Sequence, residues 1–374
     1  MKKKFAIIGA GIAGLTLGNF LQKNLDFKFT IYEKNETLNL DEGFGIQLAV
    51  NSVSILNQIE FSNLNKLNIF NPKYLDFYSS QDKVCNLDLT QFNTEAEKYT
   101  TLKRSSLIRF LKDNLFSNVF RFNKTIKTIQ HKKNKIQINF TDGETDEVDY
   151  LIVSDGVFSA TKVIIEKKKN KINFQGAFAA RTTISKNNLK VFNKENISLL
   201  MCSNAHLVLY PVNKDEYNFV TTIRNKVNTS DDKNRELLNK TLRKNNLNIL
   251  FDKELSFWPI NSSYKPAASK HKNIFYLGDA FFTFLPTMAQ GASQSIEGAY
   301  ELFKIFQKGN NDIQDFYFIN RLERVDAISK RSNFNFFAFH LSSSLFVIIR
   351  NYVLRKLIYN KKFIDIFLGR IFRK

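Results

Sequence analysis

An α/β architecture is expected for this 374-residue chain: a parallel-sheet domain, an inserted mostly antiparallel β-sheet domain, and C-terminal helices. Three observations predict it. The opening residues read as strand, glycine-rich turn, helix and second strand. Short buried-type strands return at 149–153 and 273–277. Between them, from about Gly176 to Trp258, the pattern is that of an antiparallel sheet.

Phe5-Ala-Ile-Ile-Gly9 is a continuously apolar run bounded by glycine, as expected for a strand covered on both faces. Gly11 to about Gln22 carries helical spacing through Ile12, Leu15 and Leu17, and Phe29-Thr-Ile-Tyr-Glu33 follows as a strand. This is a Rossmann-like βαβ opening. Thr125–Gln130 and Ile136–Phe140 alternate as paired strands around the polar turn 131–135. In the middle region Leu199–Cys202, His206–Tyr210 and Asn218–Ile223 read as strands, interrupted by a helix from Asp231 to about Lys244. A long helix is expected from Gly291 to Gln307. The chain thus divides into 1–175 and 263–325 for the two parts of the Rossmann-like domain, 176–262 for the inserted sheet, and 326–374 for a helical basic tail.

A net charge of +20 would suit a nucleic-acid or anionic-membrane partner. The excess is mostly Lys, in a chain also rich in Asn, Ile and Phe, which is the composition an AT-biased genome yields. No Lys/Arg stripe interleaved with aromatics accompanies it, so no nucleic-acid partner is expected. Lys2, Lys3 and Lys4 before the apolar run imitate a signal peptide, but the spaced glycines fit a first strand and helix better. No run of about 18 apolar residues reads as a spanning helix. Cys85 and Cys202 form no metal or redox pattern and suit a reducing cytosol. His131, His206, His271 and His340 are scattered and read as structural or solvated, and no metal site is expected.

Gly9-Ala10-Gly11-Ile12-Ala13-Gly14 carries the first chemical signal. Gly9 permits a tight turn, Gly11 lets the backbone approach a pyrophosphate, and Gly14 allows close helix–strand packing. The helix N-terminus offers free N–H groups and positive dipole to phosphates. Glu33, about 20 residues on, is placed to accept hydrogen bonds from adenosine ribose hydroxyls. These residues leave NAD and FAD both open.

Four further segments separate the two. They are Gly43-Phe-Gly45-Ile-Gln47, Arg104 in Leu102-Lys-Arg-Ser-Ser-Leu107, Leu151-Ile-Val-Ser-Asp155-Gly156, and Gly278-Asp279-Ala280 with Pro286 and Ala289-Gln-Gly291-Ala292. In that order the chain resembles the aromatic-hydroxylase family of flavoprotein monooxygenases, especially its salicylate-hydroxylase-like members. The resemblance implies FAD, with Asp279 holding ribityl hydroxyls and Arg104 contacting the cofactor. It places Gly45 beside the flavin ring, and a helix N-terminus at Gly291 on the ring's pyrimidine edge. It also implies hydroxylation of an aromatic or electron-rich organic substrate with NADH or NADPH and O2, through a flavin C4a-hydroperoxide. Arg181 and Tyr210 match segments that border substrate in that family, and Arg181 could anchor an acidic group or form a structural ion pair. Trp258-Pro259-Ile260 is expected at the domain junction. No side chain is expected to act as the catalyst, because the cofactor carries the chemistry.

The sequence departs from the family pattern at Phe282, Lys162 and Gly298, where His, Arg and Asp are usual. The loss at Phe282 keeps open a reductase or dehydrogenase on the same scaffold, acting for example on isoprenoid double bonds. A basic binding protein retaining structural FAD is the other rival. The tail, with Arg350, Arg355, Lys356, Lys361, Lys362, Arg370, Arg373 and Lys374, has two readings. Its helices can cover the flavin domain, and its end, through Phe363, Ile366, Phe367, Leu368, Ile371 and Phe372, can lie on an anionic membrane. A cytoplasmic location is expected, peripheral at the inner face of a membrane under the second reading.

Overall fold

The computed structural model describes residues 2–372 other than 39, 41–43, 65, 133–134, 187–191, 228, 248, 250, 252 and 310–311. Five parallel strands form the sheet on which the opening motif sits. Their order is Ile274–Tyr276, Tyr150–Val153, Lys3–Ile8, Phe27–Tyr32 and Phe120–Arg121. The first strand is therefore flanked by two strands more than 140 and 20 residues away in sequence. The chain's distant apolar runs converge there because each is buried on both faces, as Ala6, Ile7, Leu151, Ile152 and Ile274 are at 0% exposure.

The first helix, Ile12–Gln22, packs on this sheet and on the long helix Gly291–Lys308. Leu15, Leu17 and Leu21 are fully buried there. Ile126–Lys132 and Lys135–Phe140 pair antiparallel, and Thr145–Val148 completes a small three-stranded sheet.

The large sheet has seven strands, in the order Ser256–Ser263, Ile172–Ser185, Glu216–Arg224, Ala205–Pro211, Ile197–Cys202, Tyr74–Ser79 and Asp82–Asp88. All neighbours are antiparallel except Ile197–Cys202 with Tyr74–Ser79. Two of its strands thus come from 74–88, far ahead of the rest. The helix Asp231–Lys244 covers one face of this sheet through Leu238 and Leu242. The other face turns toward the parallel-sheet domain.

C-terminal to Lys308 the chain continues as the long helix Ile313–Phe339, the helix Ser344–Leu357, and short turns to Phe372. The end of the tail packs inward. Ile364, Leu368, Ile371 and Phe372 are buried in one cluster with Leu87, Phe92 and Tyr99. The Phe372 ring lies 5.2 Å from Phe92 and 5.5 Å from Tyr99. Arg373 and Lys374, and the side chains of Ile366, Phe367 and Arg370, lie outside the described residues. The exposed apolar surface of the tail is upstream, on Ser344–Leu357. Among the described residues no helix is long and apolar enough to cross a membrane.

Candidate active site

A cavity of 1280 Å³ runs between the two sheet domains and under the C-terminal helices. Its wall brings together Gly11, Ala13, Gly45, Arg104, Asp279, Pro286, Gly291 and Ala292, and on the opposite side Arg181 and Tyr210. Gly9, Gly14, Glu33 and Asp155 lie off this wall. Gly43 lies outside the described residues.

The glycine turn divides its work. Gly9 has φ +97°, and a Cβ there would sit 2.7 Å from the Ser154 carbonyl oxygen. A Cβ at Gly14 would come within 2.2 Å of the Gly9 carbonyl oxygen. Both are glycine because protein occupies the space. Gly11 differs, since a Cβ there would meet nothing within 4 Å, and the same holds at Gly291. Each is at the start of a helix whose N-terminus no side chain caps. Two sets of free N–H groups and two positive dipole ends therefore meet one cavity. Ala289, just before the second, holds a left-handed φ of +52°, an uncommon conformation for a residue with a Cβ.

Glu33 follows the second strand. Its Oε2 accepts from the Ala10 N–H at 3.0 Å and its Oε1 from the Asn35 N–H at 3.1 Å, which fixes the carboxylate beside the turn. Asp155 Oδ2 accepts from the Thr161 N–H at 3.1 Å, while its buried Oδ1 has no partner among the described residues. Asp279 is open to the cavity yet surrounded by protein, and desolvation pushes its carboxyl up to about 6 against the pull of the Arg104 guanidinium. The Arg104 N–H donates to the Phe44 carbonyl at 2.8 Å, which seats its side chain beside Gly45. Gly45 in turn donates to Asn218 Oδ1 at 2.6 Å, and its missing side chain makes room for Asn218 and Val212.

On the sheet side, Tyr99 donates to Gln47 Oε1 at 2.8 Å, and Tyr210 also meets the Gln47 amide. Burial raises both phenols above their ordinary range. The Arg181 guanidinium lies 5.8 Å from the Trp258 ring centre, and its buried Nε has no partner among the described residues. Burial lowers its pKa, with Tyr210 opposing and Arg104 adding to the shift. Arg181 is thus a cation on the cavity wall without an ion pair at that nitrogen.

Farther along the same strands His206 reaches the wall, and the histidines prove to be paired. His206 Nδ1 and His340 Nε2 are 2.7 Å apart, and Arg224 Nε donates to His340 Nδ1 at 3.2 Å. Because Arg224 can only donate, His340 carries its proton on Nε2 and gives it to His206 Nδ1. The neutral pair then presents the Nε2–H of His206. Desolvation holds both rings well below the ordinary histidine range, His206 at about 4 and His340 at about 2. His131 and His271 stack at 3.5 Å, far from this wall.

The three departures are also off the wall. Phe282 is buried against Phe284, Lys162 donates to the Ala280 carbonyl at 3.1 Å, and Gly298 faces Leu277 and Tyr317.

Residues 2–332 match the FAD binding domain family. The chain belongs to that family. It is 24% identical to 6-hydroxynicotinate 3-monooxygenase of Bordetella bronchiseptica over 89% of this chain and 91% of that protein. It is 23% identical to 3-amino-4-hydroxybenzoate 2-monooxygenase PtmB3 of Streptomyces platensis, over 91% and 89%. Among solved structures, Klebsiella pneumoniae HpxO in complex with FAD and uric acid superposes with a TM-score of 0.83 at 17% identity, covering 95% of this chain and 93% of that one. A salicylate hydroxylase substrate complex gives 0.78 at 17% identity, over 96% and 93%. The protein is an FAD-dependent monooxygenase with the salicylate-hydroxylase-like fold. The open glycines and uncapped helix starts fit its cofactor.

Proposed function

We propose that this monooxygenase hydroxylates an electron-rich aromatic ring, with NADH or NADPH as reductant. The observation that carries the reading is the single cavity, which joins the dinucleotide motifs to a sheet wall bearing Arg181, Tyr210 and Gln47. FAD held there would supply the redox chemistry, with NADH or NADPH as the source of electrons and O2 as the oxidant, one oxygen atom ending in the ring and the other in water.

The chain's own residues bind, orient and exclude water. Gly9 and Gly14 shape the turn, and the N–H groups behind Gly11 and Ala13 receive the pyrophosphate. Glu33 holds the adenosine ribose and Asp279 the ribityl hydroxyls, while Asp155, behind the wall, accepts from the Thr161 N–H and shapes the segment between the wall residues Ser154 and Gly156. Arg104 stands beside Asp279 and balances its charge. Pro286 turns the chain so that the helix start at Gly291 and Ala292 faces the ring edge where negative charge collects. Gly45 keeps that side of the cavity narrow. Arg181 pairs with an acidic or phenolate oxygen of the substrate, and Tyr210 donates a hydrogen bond to it.

The reductase alternative drew on Phe282, which is buried one layer behind the wall, its ring 4.8 Å from that of the cavity-lining Phe284. NAD(P)H oxidation measured across a panel of phenols and aromatic acids tests the proposal, with products analysed under labelled O2. Hydroxylated product carrying the label is expected. Reduction of the substrate without incorporation of oxygen would overturn it. Peripheral contact of the C-terminal region with an anionic membrane belongs to the same proposal.

A further inference from the structure

The helix Ser344–Leu357 is unusual in what it leaves uncovered. Leu345, Ile348 and Tyr352 are exposed at 64%, 65% and 62%, and they follow one another at helical spacing on one stripe. Beside that stripe, Phe346, Ile349 and Val353 are exposed at 56%, 48% and 42%. These three also line the cavity. The same side chains therefore belong to the outer surface and to the cavity wall, and the cavity opens to the outside through an apolar rim. Phe334 and Phe337 on the preceding helix share this double position.

Along this stretch of the chain the charge has one sign, although the strand packed against the helix, Asp82–Asp88, has an Asp at each end. Residues 327–364 contain no Asp or Glu, and they carry Lys330, Arg331, Arg350, Arg355, Lys356, Lys361 and Lys362. Arg350 is buried and holds the helix in place by donating to the Ala338 carbonyl and to Ser79 Oγ, each at 3.2 Å. Arg355, Lys356, Lys361 and Lys362 stand exposed at the end of the apolar stripe. An apolar stripe edged by cations complements a bilayer with anionic headgroups.

Inside, polarity changes along the cavity. Tyr210 and Asn218 pair across the sheet near Gly45, and His206 and Thr222 pair four registers farther on. Four residues of extended strand put these rows about 13 Å apart. From the second row to the rim the C-terminal helices contribute Ala338, Phe339, Leu341, Phe337 and Phe346, with Asn335 and Arg350 the polar side chains among them, held by Met288 Sδ and the Ala338 carbonyl.

We propose that Ser344–Leu357 docks on an anionic bilayer and that the cavity draws from it an amphiphile, an electron-rich ring carrying a long hydrocarbon chain. The ring reaches Arg181 and Tyr210, while the chain fills the apolar length toward the rim. This deepens the membrane contact proposed above and rests on it.

The test uses the full-length FAD-loaded protein with vesicles of phosphatidylcholine alone or mixed with phosphatidylglycerol, and with 4-alkylphenols from methyl to dodecyl. Cosedimentation with the mixed vesicles is expected at low salt, falling steeply as salt rises. Phenol binding, read by perturbation of the bound flavin's spectrum, should tighten about threefold to fourfold per added methylene at least through octyl. The double variant Leu345→Glu, Ile348→Glu lies outside the cavity wall. It should lose vesicle binding at least tenfold and keep the affinity for 4-methylphenol. No binding to mixed vesicles overturns the membrane contact and this inference with it. Vesicle binding with affinity that stops rising after ethyl overturns the amphiphile alone. A dimer that the double variant splits, with vesicle binding unchanged, assigns the stripe to a second copy and overturns the docking.

Discussion

The two ends of the cavity are made of different material. Around Gly11 and Gly291 the wall is backbone, small residues and uncapped helix starts. From Val208 to Phe346 it is side chains, supplied by several sheet strands and by the C-terminal helices. A wall of backbone cannot be retuned by substitution without changing the fold, so it suits a fixed cofactor. A wall of side chains can be altered residue by residue, which is how one scaffold can serve different substrates.

The contrast gives graded tests. The largest effect is expected from the end of the chain. Ile364, Leu368, Ile371 and Phe372 close the side-chain end from behind, and their burial stabilises the fold by about 6–12 kcal/mol. That is comparable with the whole stability of a domain, about 5–15 kcal/mol. Deleting everything after Leu357 should therefore give insoluble protein, scored by the soluble fraction and its flavin content. Soluble, yellow protein from that deletion would show that these contacts are dispensable.

Next come the two glycines that look alike in sequence. Gly14→Ala drives a methyl into the Gly9 carbonyl and should lower stability by about 1–3 kcal/mol, read as a drop in Tm of the cofactor-free protein. Gly11→Val should leave that Tm unchanged and abolish FAD binding, because its side chain enters the cavity rather than protein. If both variants lose stability equally, the backbone end is not the open cradle described above.

Asp279 should give a smaller, pH-dependent effect. Its carboxyl sits near 6 against an ordinary 3.8 because burial disfavours the charge. Ligand hydroxyls need the carboxylate, so FAD affinity should be full above pH 6 and weaken as pH falls through it. The cofactor-free fold should respond with the opposite sign. Its folded-state pKa is raised, so this group's contribution to stability is present at low pH and lost as pH rises through 6. Asp279→Asn should flatten both curves in titrations of FAD affinity and Tm between pH 5 and pH 8.

The smallest effect belongs to the histidine pair. His340→Phe removes the proton that fixes His206 and should change substrate KM up to about tenfold, the value of a neutral hydrogen bond of about 0.5–1.5 kcal/mol. Flavin content should not change. Loss of FAD in this variant would mean that the two ends are not separable.

The same division decided what could be read from sequence. The backbone end announces itself because Gly9 and Gly14 are dictated by local geometry, and Gly11 lies between them at the helix start, where the motif's spacing marks it although no protein atom does. The side-chain end sends no local signal. Leu199, Val208 and Val220 read as ordinary strand residues, and only the register of the sheet turns them to one wall. The strands at 74–88 were not foreseen, since Asp76 interrupts their apolar alternation. It is buried and paired with Lys83 and Asn196, each at 2.8 Å. His206 and His340 are 134 residues apart, and no spacing rule joins them. The tail posed a different problem. An apolar helix suits a core as well as a lipid surface, and the sequence could not say that Leu368 and Phe372 face inward while Leu345 and Ile348 face out.

Glu297 has a consequence for how this protein should be handled. It is 3% exposed and takes a two-point hold from Arg324, at 2.8 and 2.9 Å, two turns below the helix start at Gly291. Arg324 and Asn51 both also donate to the carbonyl of Ile371, at 2.7 and 3.0 Å. Ile371, the helix of Arg324 and the helix of Asn51 are thus fastened to the helix that starts at Gly291. Whatever strains one end of that helix is paid back at the other, and the exchange runs both ways. Pulling on the chain at Ile371 is therefore expected to load the helix that starts at Gly291.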